Sequence, residues 1–155
     1  MLLSKEVSMK AENAVNCFTD GFNCAQAVLS SFSDDYSCPK EVALKIAGAF
    51  GSGMGQLGET CGAVTGALMV IGLKYGKYKI GDTESKDRAY ACVKQFSDAF
   101  QSKFGSIKCT DLIKYNLSNH EELLEARKAG VFQSICPELI KGSVEILEKL
   151  TKESV

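Results

Sequence analysis

Residues 48–76 limit the folds open to this chain more than any other part of the sequence. The first part of this stretch carries five glycines, and glycine loses more backbone entropy in a regular helix than any other residue. They are Gly48, Gly51, Gly53, Gly55 and Gly58. The second part, residues 62–73, is almost entirely apolar or small, as is typical of a helix buried on most sides. The stretch therefore predicts a glycine-rich loop followed by a buried central helix.

The start of the central helix carries a cysteine. Thr60 is a suitable N-cap, and Glu59 places a carboxylate near the positive end of the helix dipole. Cys61 would then lie in the first turn, where a thiol tends to have a lowered pKa. The thiolate is both a nucleophile and a metal ligand, so Cys61 is a candidate functional residue. The alternative is a small hydrophobic residue packed among small neighbours.

Apolar residues recur at helical spacing through most of the remaining chain. They predict helices over residues 4–19, 23–32, 39–50, 83–104, 119–129 and 137–150, with a short helical turn after Cys109. In the third helix of the chain, Val42, Ile46 and Ala49 are the predicted core face. In the central helix, Gly62 and Gly66 share a face and predict the close approach of a second helix. With 155 residues and no alternating β-branched runs, we expect one all-α domain over residues 1–155, a compact bundle of six or seven helices.

The charge pattern excludes several classes of partner. The 18 basic and 19 acidic residues are evenly spread, so no basic stripe is present that would bind nucleic acid. The first residues lack the apolar core and cleavage site of a secretory signal. The longest apolar run is too short to cross a bilayer. We therefore expect a soluble, cytoplasmic protein with neither a nucleic-acid nor a membrane partner.

Seven cysteines are a high number for a reducing compartment. Their odd number and wide spacing differ from a secreted disulfide scaffold and favour metal binding or redox chemistry. No C-x-x-C pair is present, which excludes an ordinary zinc ribbon, a ferredoxin loop and a c-type haem attachment. Cys92 falls in an apolar stripe and is interpreted as structural, whereas Cys17 and Cys38 receive no role.

Four of the cysteines share a placement. Cys24, Cys61, Cys109 and Cys136 each precede or open a predicted helix, where unpaired N–H groups and the helix dipole favour negative charge. If the bundle brings these helix starts to one end, the four thiols surround a small volume. Such a cluster suits an iron–sulfur cluster, a bound metal ion or two thiol–disulfide pairs.

The order of these segments resembles a known family. NCAQAV at residues 23–28 is followed by GETCGAVTGA at residues 58–67, FGS at residues 104–106 with Cys109, and finally Cys136. This pattern, over about residues 10–150, resembles the bacterial and archaeal C-GCAxxG-C-C family of redox-active proteins. In this sequence Gly62 separates Cys61 from the alanine that the family name places beside the cysteine.

The resemblance implies redox function through Cys24, Cys61, Cys109 and Cys136, as catalytic, cofactor-binding or metal-ligating residues. A similar domain in split-Soret type cytochromes implies an iron–sulfur site by analogy. The leading hypothesis is therefore a redox-active protein that binds an iron–sulfur cluster or cycles between dithiol and disulfide. One alternative is a module that holds zinc or another soft metal through thiolates without redox turnover. Another is a structural or interaction protein with buried cysteines. The electron donor or acceptor is not specified, and both enzymatic activity and a homodimer stay open.

Overall fold

The computed structural model describes residues 8–152. Within that range it contains eight α-helices and no strand: α1 (Met9–Thr19), α2 (Cys24–Phe32), α3 (Lys40–Ala47), α4 (Gly62–Tyr75), α5 (Thr83–Phe104), α6 (Cys109–Ile113), α7 (His120–Lys128) and α8 (Val131–Lys152). A 3₁₀ turn, Ser33–Tyr36, follows α2. The all-α prediction is confirmed. The helix count exceeds the predicted six or seven because the segment after Cys109, expected only as a turn, forms the short helix α6.

The centre of the bundle is the contact between α2 and α4. A Cβ added at Gly66 would lie 2.8 Å from the Ala25 carbonyl oxygen, and one added at Gly62 would lie 3.0 Å from the Ala25 nitrogen. Only glycine leaves room for such an approach. The predicted close packing on this face of the central helix is therefore confirmed.

Helices α5 and α8 pack against α4. The rings of Phe96 and Phe100 on α5 stack with centroids 5.9 Å apart, and both side chains are fully buried. On α8, the buried Ser143 hydroxyl donates a hydrogen bond of 2.7 Å to the carbonyl of Ala63 on α4. This bond ties α8 to the first turn of the central helix.

A second, smaller hydrophobic cluster lies where α6, α7 and the start of α8 meet. Its buried members are Cys109, Ile113, Leu117, Leu123, Ala126 and Val131. Phe132 and Ile135 are partly buried and pack against both this cluster and the main core. The first turns of α8 therefore join the two.

The rotation of α3 differs from the prediction. Val42 and Ile46 are 44% and 53% exposed and Ala49 is exposed, so the predicted core face is wrong; Ala43 and Ala47 are buried instead. Side-chain amides of α2 fix this rotation, because they donate to carbonyls at the carboxyl end of α3. These bonds run from Gln26 Nε2 to Leu44 O (3.0 Å) and from Asn23 Nδ2 to Ala47 O (3.3 Å).

The glycine-rich segment before α4 forms a left-handed turn. Within Gly51–Met54, Ser52 and Gly53 have left-handed φ/ψ, and positive φ continues through Gln56. A Cβ on Gly53 would lie 2.7 Å from the Cβ of Cys109, and one on Gly51 would lie 2.7 Å from the Cβ of Asn23. The turn therefore lies directly against the starts of α2 and α6.

No helix in the described part of the chain has the length and apolarity needed to span a bilayer.

Candidate functional site

One cavity of about 330 Å³ is lined by all four of the cysteines that the sequence singled out, Cys24, Cys61, Cys109 and Cys136. Each is buried, with exposed fractions between 2% and 8%. The other three lie elsewhere. Cys92 is buried in the main core, and Cys17 and Cys38 are half-buried and pack against that core. The structure therefore brings together residues that are far apart in the sequence.

Cys24 is held by the cap of α2. Asn23 and Gln26 form a capping box: the Gln26 N–H donates to Asn23 Oδ1 and the Asn23 N–H donates to Gln26 Oε1, both at 2.9 Å. Since the same two side chains also bind the end of α3, they fix Cys24, the first residue of α2, relative to two helices.

Cys61 and Cys109 are joined by a short antiparallel contact. Thr60 and Lys108 form an isolated bridge, flanked by hydrogen bonds from the Cys61 N–H to Ile107 O (2.8 Å) and from the Cys109 N–H to Glu59 O (2.7 Å). Successive side chains on an extended segment alternate sides, so both residues next to the bridge project from the same side. The bridge therefore places Cys61 and Cys109 on the same side, and both line the cavity.

Two of the predicted helix placements need correction. Cys61 is itself the N-cap of α4, in place of Thr60. Cys136 does not open a helix, because α8 begins at Val131 and continues through Pro137. Proline has no N–H to donate to the carbonyl four residues earlier, which normally ends or kinks a helix. Here Val131 and Phe132 pack in the hydrophobic clusters and extend the helix backwards past the proline.

Burial controls the pKa of two thiols. It raises the pKa of Cys61 to about 12, although hydrogen bonds from the Ala63 and Val64 N–H groups act in the opposite direction. Burial also raises the pKa of Cys109 to about 12, with a further contribution from Cys61 and Cys136. The lowered pKa expected for Cys61 is therefore wrong, because desolvation of the anion outweighs the helix N-terminus.

Cys24 and Cys136 behave differently because they share a hydrogen bond. The Cys24 thiol donates to the Cys136 sulfur, which lowers the pKa of Cys136. The same bond, together with burial, raises the pKa of Cys24 well above its usual value. Cys136 is therefore the thiol that ionises most readily of the four.

Polar groups at the edge of the cavity were not found by sequence reasoning. Ser52 and the exposed residues Arg127 and Gln133 line it, and Arg127 is the cationic lining residue. Arg127 lies in a strongly charged helix, where nothing in the local pattern separates it from its neighbours. Ser52 follows one of the glycines, and only the left-handed turn brings it to the cavity.

The four thiols lie around one cavity, and Cys24 interacts electrostatically with each of the other three. Within residues 8–152, no group of three or more His, Cys, Asp or Glu side chains is arranged to hold a metal ion. All seven cysteines are free thiols in this structure. The arrangement thus consists of four buried thiols around a shared cavity, with Cys24 hydrogen-bonded to Cys136 and the backbones beside Cys61 and Cys109 joined by the bridge.

Residues 22–150 match the family model described as "Putative redox-active protein (C_GCAxxG_C_C)". The chain belongs to this family. Neither the curated proteins nor the solved structures contain a significant match. The membership agrees with the resemblance based on the four cysteines. The family description is that of a redox-active protein and names no substrate.

Proposed function

We propose that this protein is an electron carrier in which Cys24, Cys61, Cys109 and Cys136 hold a two-iron iron–sulfur cluster. The observation that carries the proposal is the position of four buried thiols around one cavity. Family membership supports the redox part of the proposal.

The donor set fits this cofactor. A [2Fe–2S] cluster is held by four cysteine thiolates, two on each iron. The chain offers four buried cysteines around one cavity, enough for two on each iron. A single zinc ion needs about four ligands around one point. Since no three His, Cys, Asp or Glu side chains in residues 8–152 are arranged for one ion, a cluster that needs only two cysteines on each iron is favoured over the zinc alternative.

The protein supplies the environment of the site. Burial excludes water and, without a cation, keeps Cys61 and Cys109 protonated at neutral pH. In a protein that held iron, Cys61 and Cys109 would lose their protons, because a coordinating thiol is deprotonated. The Ala63 and Val64 N–H groups would then stabilise the Cys61 thiolate. When bound, the cluster supplies one-electron transfer.

A second candidate function is dithiol–disulfide exchange, favoured by the hydrogen bond between Cys24 and Cys136. The Cys136 thiolate would attack one sulfur of a partner disulfide and expel the other as a thiolate. Cys24 would then lose its proton and attack the Cys136 sulfur of the mixed disulfide. This step releases the partner as a dithiol and leaves a Cys24–Cys136 disulfide, so two electrons pass to the partner.

Anaerobic purification tests the cluster directly. We expect about two iron and two sulfide per chain, with visible absorption that fades on reduction. Cys61→Ser removes one ligand and should abolish the absorption. Cys38→Ser is the matched control, because Cys38 is half-buried and does not line the cavity. It should retain the wild-type iron content.

A colourless protein that stays free of iron after anaerobic reconstitution would contradict the cluster. Titration with oxidant then tests the second function. Loss of two thiols, with a Cys24–Cys136 disulfide identified by peptide mass spectrometry, would support exchange. Unchanged thiol content would contradict that function as well.

A further inference from the structure

We infer that a second cavity, between α4 and α5, binds a medium-chain aliphatic carboxylate. The cavity has a volume of about 450 Å³ and shares no lining residue with the cysteine cavity. This volume lies within the range of small-molecule sites, about 300–1,000 Å³. The inference is therefore independent of the redox proposal.

The floor of this cavity is aliphatic. Leu68 and Ile71 of α4 face Ala89 and Val93 of α5 across it. Leu68 and Val93 are only half-buried, so apolar surface stays in contact with water while the cavity is empty. An alkyl chain that covered this surface would gain about 25 cal/mol for each Å² of apolar area removed from water.

The rim of the cavity is cationic. Lys77 and Lys86 line it, and Lys86 Nζ lies 5.9 Å from the centre of the Tyr90 ring. Neither lysine takes part in an ion pair within the described residues. Hydrogen bonds from Ser85 are the main cause of the lowered pKa of Asp82, and Lys77 is the last-ranked cause. Since neither ammonium group forms an ion pair with a carboxylate of the described residues, both can receive a ligand carboxylate.

An aliphatic floor with a cationic rim selects one kind of ligand. An alkyl chain fits the floor, and a carboxylate at one end fits the rim. Gly72 lines the cavity, and a Cβ built there would meet nothing within 4 Å, so a larger side chain has room to extend over the cavity. Gly72 thus gives a way to fill the cavity without disturbing the helix.

Titration of the purified protein with decanoate, followed by calorimetry, tests the inference. We expect one decanoate per chain and clearly weaker binding of decan-1-ol, which has the same chain without the charge. Gly72→Leu should abolish binding by filling the cavity, whereas Gly72→Ala should retain it. Replacing Lys77 and Lys86 together by Gln should weaken binding about ten-fold, and Lys94→Gln, on the same helix but outside the cavity, should not.

Three results would overturn the inference. They are no decanoate binding, equal affinity for decan-1-ol, and undiminished binding by Gly72→Leu. If Gly72→Leu does not fold, as judged by circular dichroism, the double lysine variant decides, and wild-type affinity in that variant also overturns the inference.

Discussion

Cys61 receives hydrogen bonds from the N–H groups of Ala63 and Val64, yet its pKa lies at about 12. The helix N-terminus favours the thiolate, but a residue only 2% exposed loses most of the hydration that an anion requires. The polarised thiol is instead Cys136, which gains a hydrogen bond from Cys24. The hydrogen bond from the neighbouring Cys24 thiol thus lowers the pKa of Cys136, whereas the start of α4 does not keep the pKa of Cys61 low.

The raised pKa of Cys61 predicts a loss of stability at alkaline pH. In the reduced, metal-free protein the folded pKa is about 12, against about 9.0 for a free thiol. Between these values the unfolded chain releases a proton that the folded chain keeps, so the unfolding free energy should fall by up to about 1.4 kcal/mol per pH unit. Below pH 9 this contribution is fully present. Urea denaturation across this range measures it.

The matched control for this prediction is a pair of alanine variants. Cys61→Ala should flatten the alkaline decline, because it removes one of the thiols responsible. Cys38→Ala should keep the wild-type slope. An identical slope in Cys61→Ala and wild type would show that the thiol does not cause the decline.

The sequence identified the four cysteines because their order and their helix-start signals stand out. It placed Cys136 wrongly because proline is common at the first position of a helix, and Pro137 suggested such a start. α8 begins before Pro137, at Val131, because Val131 and Phe132 pack on the main core and the smaller hydrophobic cluster. That packing depends on residues distant in sequence, so no local pattern reveals it.

Among the helices, the contact between α2 and α4 sets the position of Cys24 against Cys61. The two backbones approach closely at Gly62 and Gly66, where a Cβ would meet Ala25. Gly72 lies six residues after Gly66 and therefore on a different face of α4, where a Cβ meets nothing. Packing against α2 therefore requires glycine at positions 62 and 66 of α4, but no packing contact requires it at position 72.

This difference predicts opposite effects of the same substitution. Gly66→Ala should destabilise the protein by about 1–3 kcal/mol, because overpacking exceeds the gain in helix propensity. Gly72→Ala should stabilise it by up to about 1 kcal/mol, since only the propensity gain applies. Thermal unfolding of both variants measures the contrast, and a stabilised Gly66→Ala would show that α2 and α4 are not closely packed.

At the scale of helices, the sequence predicted the glycine face of α4 but not the rotation of α3. The glycine spacing is visible along one segment. The rotation depends on Asn23 and Gln26, whose amides bind carbonyls at the end of another helix. Val42 and Ile46 have the spacing of a buried stripe, and only these bonds show why Ala43 and Ala47 face inwards.

Across the whole molecule, the cysteine cavity lies where two hydrophobic clusters meet. Cys24, Cys61 and Cys136 belong to the main core, and Cys109 belongs to the smaller cluster under α6 and α7. A small cluster with few buried side chains opens at lower free energy than the core. Any bond between Cys109 and the other three cysteines would therefore tie the two clusters together.

Hydrogen exchange should reveal this connection. In the reduced, metal-free protein, we expect amides of α6 and α7 to exchange faster than those of α2 and α4. Loading of the proposed cluster should slow exchange in α6 and α7 by at least ten-fold and leave exchange in α1 nearly unchanged. Equal protection of both regions before and after loading would contradict a site that joins the two clusters.

The position of Cys136 within α8 has a consequence for biosynthesis. A ribosome delivers Cys24 early and Cys136 late, and domains assemble as their segments emerge. The cavity is closed only when α8 has left the exit tunnel and Ser143 has reached Ala63. A nascent polypeptide that has not yet reached α8 offers three of the four cavity thiols, so delivery of the proposed cluster would follow translation of this helix.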